Sequence, residues 1–181
     1  MADGATISIK LSGLSEALAA YGEINLGARR AMRDALRSTI RYARREGVNR
    51  LAARVGVAGK VIGGNSEWTR VRARLPALDG LEASLWVGYA PIAARYFKHA
   101  MAIRGVGVIA GGQIDRQGFE IARYRDKGRF YKRTGPERFP ITRVRVPIES
   151  RALSVASQLE KLIADDLERT TEAAVVKEIY R

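Results

Sequence analysis

Residues 28–45 read Ala28-Arg-Arg-Ala-Met-Arg-Asp-Ala-Leu-Arg-Ser-Thr-Ile-Arg-Tyr-Ala-Arg-Arg45. At 100° per residue two stripes separate along this segment. Arg30, Arg33, Arg37, Arg41 and Arg44 fall within about 80° of one another. Ala28, Met32, Ala35, Leu36, Thr39 and Ala43 lie on the opposite side, where small and apolar side chains suit close packing against a sheet or a second helix. The segment is therefore expected to be a helix with a core face and an arginine face. Upstream, Ile7, Ile9 and Leu11 alternate as in a half-buried strand over 5–11, and Gly13 ends it. Ser15 is placed to cap the helix with Glu16 in its first turn, and helical character runs on to about Arg54 with a weak point at Tyr21-Gly22.

Beyond a glycine-rich break at 56–64, residues 68–75 alternate again, with Val71, Ala73 and Leu75 opposite Arg70, Arg72 and Arg74. That pattern predicts a strand with a basic outer face. Further strands are expected at 83–89, 119–124 and 142–148, the last with Val144, Val146 and Ile148 facing away from Arg143 and Arg145. A short helix is expected at 90–98, because Pro91 suits a first turn. Residues 100–118, rich in glycine and without a clear period, are expected to be a mobile hairpin or loop. From Ser150 to Ile179 the helical period returns, with Ala156, Leu159, Ile163, Leu167, Thr170 and Ala174 on one face. The order predicts an α+β fold, a mostly antiparallel sheet packed against a long N-terminal helix and a long C-terminal helix. With 181 residues and no long linker, one domain spanning 1–181 is expected.

The chain carries 32 basic and 19 acidic side chains, a formal charge of +13. Residues 153–181 hold four basic and six acidic side chains, which leaves 28 basic against 13 acidic in residues 1–152. Such an excess points to a polyanion or to an acidic partner. Cysteine is absent and His99 is the only histidine, so no thiolate or histidine-rich metal site is available and no cofactor is expected. Asp165, Asp166 and Glu168 are too close along a helix to converge as a catalytic pair, and read as solvated or inter-subunit charges. No Gly-x-Ser-x-Gly elbow occurs, and Gly105 to Gly112 match neither a P-loop nor a dinucleotide fingerprint. No enzymatic activity is expected. No run of 18 apolar residues exists and the first residues lack a signal-peptide pattern, so neither a membrane span nor export by that route is expected. Most aromatic residues fall on the apolar phase of expected strands. Phe130 and Tyr131 are the exceptions: lying among Arg129, Lys132 and Arg133, they are candidates for stacking on bases.

Residues 128–148 read Gly-Arg-Phe-Tyr-Lys-Arg-Thr-Gly-Pro-Glu-Arg-Phe-Pro-Ile-Thr-Arg-Val-Arg-Val-Pro-Ile. This segment resembles the signature of the minor tail protein Z family of tailed phages and prophages. The matching elements are Gly128 and Phe130 in a glycine and aromatic turn, a basic stretch, then Arg138, Pro140 and Ile141. One extra residue separates arginine from proline, and Val146-Pro147-Ile148 repeats the Pro-Ile element seven residues on. The short N-terminal strand, the arginine-rich helix, the central Phe97-to-Phe119 stretch and the terminal helix resemble the family more diffusely. The resemblance implies a virion component of the tail or neck, assembled in the host cytoplasm, that completes the head-proximal end of the tail. It implies a homo-oligomeric ring around the DNA channel, a hexamer being one form. The implied neighbours are the tail tube or tail terminator protein and the head-tail connector proteins, with packaged DNA met without sequence specificity. In such a ring the Arg30, Arg33, Arg37, Arg41 and Arg44 face would meet either the channel DNA or the acidic Asp165, Asp166 and Glu168 face of the next copy. The rival reading is a stand-alone, sequence-nonspecific nucleic-acid-binding protein, favoured by charge but without a recognisable binding motif.

Overall fold

A computed structural model describes residues 4–10, 26–64, 69–77, 80–121 and 129–179. Strand β1 covers Gly4–Lys10 and helix α1 covers Leu26–Val55. The expected helix start at Ser15 lies outside the described residues. Helix α1 is built from good helix formers with one interior glycine, Gly47, and that glycine has a packing reason. A side chain there would press on Leu159 and Val71. The helix stops where Gly56 takes φ +83°, a conformation open to glycine, and the Val57 N–H turns back onto the Ala52 carbonyl at 3.1 Å.

A single-turn helix α2 at Gly59–Gly63 leads to strands β2 (Val71–Arg74) and β3 (Glu82–Gly88). These form an antiparallel sheet in the order β1-β3-β2, with Ile7 opposite Leu85 and Val71 opposite Val87. One face of that sheet buries Ile7, Val71, Ala83, Leu85 and Val87 in a core shared with Leu36, Ile40 and Ala43 of α1. Helix α3 (Glu149–Ile179) closes the core with Ala152, Val155, Ala156, Leu159 and Ile163. Of the face expected on this helix, Ala156, Leu159 and Ile163 are buried, while Leu167, Thr170 and Ala174 are half-buried as the helix leaves the core.

The remaining strands are short: β4 (Ile92–Ala93), β5 (Met101–Ile103), β6 (Gly107–Ala110), β7 (Gln113–Asp115), β8 (Gly118–Glu120), β9 (Phe130–Arg133), β10 (Ile141–Arg143) and β11 (Arg145–Val146). The fold is thus α+β with every described strand pair antiparallel, but its strands are divided among four small sheets.

Three expectations need correction here. Residues 90–98 are not a helix: Ile92–Ala93 pair with Arg145–Val146, and only Ala94–Tyr96 make a 3₁₀ turn. The reason is visible in the hydrogen bonds, because the Ala90 and Pro91 carbonyls that a helix would use accept from the Arg70 guanidinium. Residues 100–118, expected as a hairpin or loop, hold one strand more than a hairpin: the β5-β6-β7 meander, turned by Gly105, Gly111 and Gly112 at positive φ. Residues 142–148 are not one strand. The Val144 N–H donates to the Phe130 carbonyl and its carbonyl accepts from Ala94, each at 3.0 Å, which sends β10 and β11 to different sheets. Strand β9, within the family-like segment, has no periodicity that announces it. Of the strand expected at 119–124, the ladder covers Gly118–Glu120, and 122–124 lie outside the described residues.

Candidate functional site

Helix α1 presents its arginines unevenly. Met32, Ala35, Leu36, Thr39 and Ala43 are buried on the core face, as the angular pattern requires. On the opposite side Arg30 and Arg41 are exposed, whereas Arg33, Arg37 and Arg44 are half-buried. Arg33 Nε lies 3.8 Å from Asp34, and Arg44 donates to the Gly63 carbonyl at 3.3 Å, tying α1 to α2. Asp34, Arg37, Ser38, Arg41, Tyr42 and Arg45 line an open concavity of about 490 Å³. The stripe exists as a surface, but part of its charge is already used within the chain.

The acidic trio separates. Asp165 and Glu168 are exposed, but Asp166 is turned inward. Its Oδ2 accepts a 2.6 Å hydrogen bond from the hydroxyl of Thr39, which is fully buried, and its Oδ1 accepts from Arg169 at 2.7 Å. Thr170 lies 3.2 Å from the Thr39 hydroxyl. Asp166 is therefore part of the α1–α3 seam rather than an outward inter-subunit charge. The cause is the one polar position on the core face of α1, which must find a partner once it is buried.

Arg70 is the larger correction. Alternation places it outside with Arg72 and Arg74, yet it is only 5% exposed. Its Nε donates to Ala90 O at 3.1 Å, and its two terminal nitrogens donate to Val61 O and Pro91 O at 3.3 Å each. Ladder pairing begins at Val71, so Arg70 precedes the strand and escapes its alternation. Burial pushes the guanidinium below the ordinary arginine range, and Arg145 adds to that shift while Tyr96 opposes it. Arg72 lies over the Trp86 ring at 5.2 Å. Leu75, expected on the apolar face, is 37% exposed because the strand has ended at Arg74.

Around Arg70 the chain makes a second concavity of about 370 Å³, walled by Lys60 of α2, Arg95 and Tyr96 of the 3₁₀ turn, Arg143 of β10 and Arg145 of β11. Five cationic side chains meet there, and no carboxylate is among the described lining residues. Arg95 donates to the Tyr96 hydroxyl at 2.7 Å and sits 4.7 Å from that ring's centre. In the sequence Arg143 and Arg145 read as part of a broad basic field, with nothing to show that they converge with residues from the 60s and 90s.

Within the family-like segment, Gly128 lies outside the described residues. Phe130 is buried in the core, which removes it from the stacking candidates, and Tyr131 is half-buried. Lys132 reaches Asp115 at 3.1 Å. Arg138, Phe139 and Pro140 project from the β9–β10 turn, with Phe139 62% exposed and Ile141 half-buried at the start of β10. The Thr134 N–H and hydroxyl both donate to the Pro140 carbonyl and close this turn. The meander adds an apolar surface that sequence reading does not find: Met101 and Ile114 are exposed at either side of Ile109 in one cross-strand row.

His99 is exposed, and no group of three His, Asp or Glu side chains is arranged to hold a metal among the described residues. No described helix is long and apolar enough to cross a membrane. Comparison of the chain with protein-family models, curated proteins and solved structures yields no match.

Proposed function

We propose that the chain is a structural component of a tailed-phage virion, acting in tail completion and head-tail joining at the head-proximal end of the tail. It works by binding its neighbours rather than by catalysis, as a ring of copies around the DNA channel. Those neighbours are the tail tube or terminator protein, the connector proteins and packaged DNA.

The observation that carries this reading is the resemblance of residues 128–148 to the minor tail protein Z signature. The exposed Arg138-Phe139-Pro140 turn and the Met101 and Ile114 row supply surfaces suited to neighbours, since exposed apolar groups rimmed by charge are typical of interaction sites. Exposed Arg30 and Arg41 on one helix, and Asp165 and Glu168 on another, suit a head-to-tail contact between identical subunits. Asp166 is already bonded to Thr39 within the chain, so the exposed Asp165 and Glu168 carry the proposed contact.

The test is mass photometry of the purified chain together with negative-stain imaging of tails carrying a labelled copy. Rings, or one label at the head-proximal end, are expected. A monomer absent from virions would overturn the reading. Charge reversal at Asp165 and Glu168 is expected to weaken the ring at physiological salt, and an intact ring would remove the head-to-tail charge explanation. A stand-alone nucleic-acid-binding protein is the second reading, favoured by the five cationic residues, Arg70 among them, that line one cleft.

A further inference from the structure

Like charges do not crowd into a concave site without cost. Lys60, Arg70, Arg95, Arg143 and Arg145 line one cleft of about 370 Å³. Arg70 is held there rigidly by three backbone carbonyls, and cannot swing into solvent to relieve repulsion from Arg145. A concave wall of one sign focuses the field into the cleft, so an anion inside feels more than the same charges would exert on a convex surface. The remaining cations come from separate elements: Lys60, Arg143 and Arg145 are exposed, as is Arg95, which is braced against the Tyr96 hydroxyl. Lys60, Arg95 and Arg143 can therefore approach a guest from several sides.

We propose that this cleft is a phosphate-binding site, taking either the phosphate of a small nucleotide or a backbone phosphate of a nucleic acid. A planar carboxylate offers two oxygens in one plane. A tetrahedral phosphate offers oxygens in several directions and suits donors arriving from α2, the 3₁₀ turn and β10–β11 at once. Tyr96, 43% exposed at the rim, gives the attached sugar or base an aromatic surface. The site is distinct from the arginine stripe of α1, and it does not depend on the chain's being a virion component. The isolated protein binds phosphate here or it does not.

The experiment titrates the full chain at low salt with inorganic phosphate, with a deoxynucleoside monophosphate, and with short single- and double-stranded oligonucleotides. The Lys60→Gln/Arg143→Gln variant alters two exposed positions and is checked for folding by circular dichroism. The Arg54→Gln/Arg104→Gln variant removes the same charge elsewhere, at two exposed positions. The cleft variant is expected to bind about tenfold more weakly than wild type, with a salt slope shallower by about one for each phosphate it no longer neutralises. The charge-matched variant is expected to stay within about twofold. Saturation by the monophosphate points to the small-nucleotide source, and binding of oligonucleotides alone points to the nucleic-acid backbone. No binding of any phosphate ligand by wild type would overturn the proposal, as would equal losses in the two variants. Independently of any variant, ligand is expected to slow acetylation of Lys60 in the wild-type chain. An unchanged acetylation rate would overturn the site assignment.

Discussion

The arginines of helix α1 and those around Arg70 share a residue type and differ in what surrounds them. On α1 the charges stand along one solvent-facing side of a single helix, where water screens each from the next and two of them, Arg33 and Arg44, face Asp34 and the Gly63 carbonyl. Around Arg70 they stand on the walls of a cleft, with one guanidinium immobilised against backbone carbonyls. A charge stripe is a property of one element, while a charge cleft is a property of how elements meet.

That difference is broken most severely at Arg70. Replacement by alanine removes the donors from Ala90, Val61 and Pro91 and leaves a void where the buried side chain stood. A loss of about 3 kcal/mol is expected from urea denaturation, with lysine recovering less than half because it cannot present a fork. A loss comparable to that of an exposed arginine would mean that Arg70 is ordinary surface charge.

The next effect sharpens the contrast from the other side of α1. Asp166→Ala deprives the buried Thr39 hydroxyl of its charged acceptor, and is expected to cost about 1–2 kcal/mol. Asp165→Ala, one residue away and exposed, is expected to change stability by less than about 0.5 kcal/mol. Equal effects in thermal unfolding would dissolve the distinction between a seam acid and a surface acid.

These two residues also show what was legible in the sequence. Helical periodicity identifies the faces of α1 and α3, because a helix repeats its environment every few residues and Met32, Leu36, Leu159 and Ile163 record that directly. It cannot tell Asp166 from Asp165 by charge. Their 100° offset matters only once Thr39, far away in the chain, is known to lie opposite. Strand alternation works for β3, where seven residues pair continuously with β1. It misleads at Arg70, one residue before a four-residue strand, and at Ala90–Lys98, where a distant guanidinium takes the carbonyls a helix needs. The cleft itself is invisible in the sequence for the same reason. Lys60, Arg95 and Arg143 carry no common motif, and only the Val144 junction between small sheets brings the last of them to the others.

Within the stripe, Arg44 is expected to be the position closest in kind to Arg70, because it too gives a guanidinium N–H to a carbonyl, that of Gly63. Its bond is single and half-exposed. Arg44→Ala should therefore cost about 0.5–1 kcal/mol in denaturant titration, well below Arg70. A cost matching Arg70 would mean that the α1–α2 tie, and not burial, sets the scale.

The smallest stability effect belongs to Arg30 and Arg41, which are exposed on α1. Arg30→Gln/Arg41→Gln keeps helix-forming side chains of similar length, so its unfolding free energy should stay within about 0.5 kcal/mol of wild type. If the stripe meets DNA or an acidic neighbour only through screened, exposed contacts, the double variant will lose part of the salt-dependent component of polyanion binding and leave the Lys60 acetylation protection intact. If instead the stripe and the cleft form one continuous binding track, Lys60 protection will fall in the same variant without any change in stability. The two surfaces would then be parts of a single site, and the contrast between charge along one helix and charge gathered from several elements would describe its two ends.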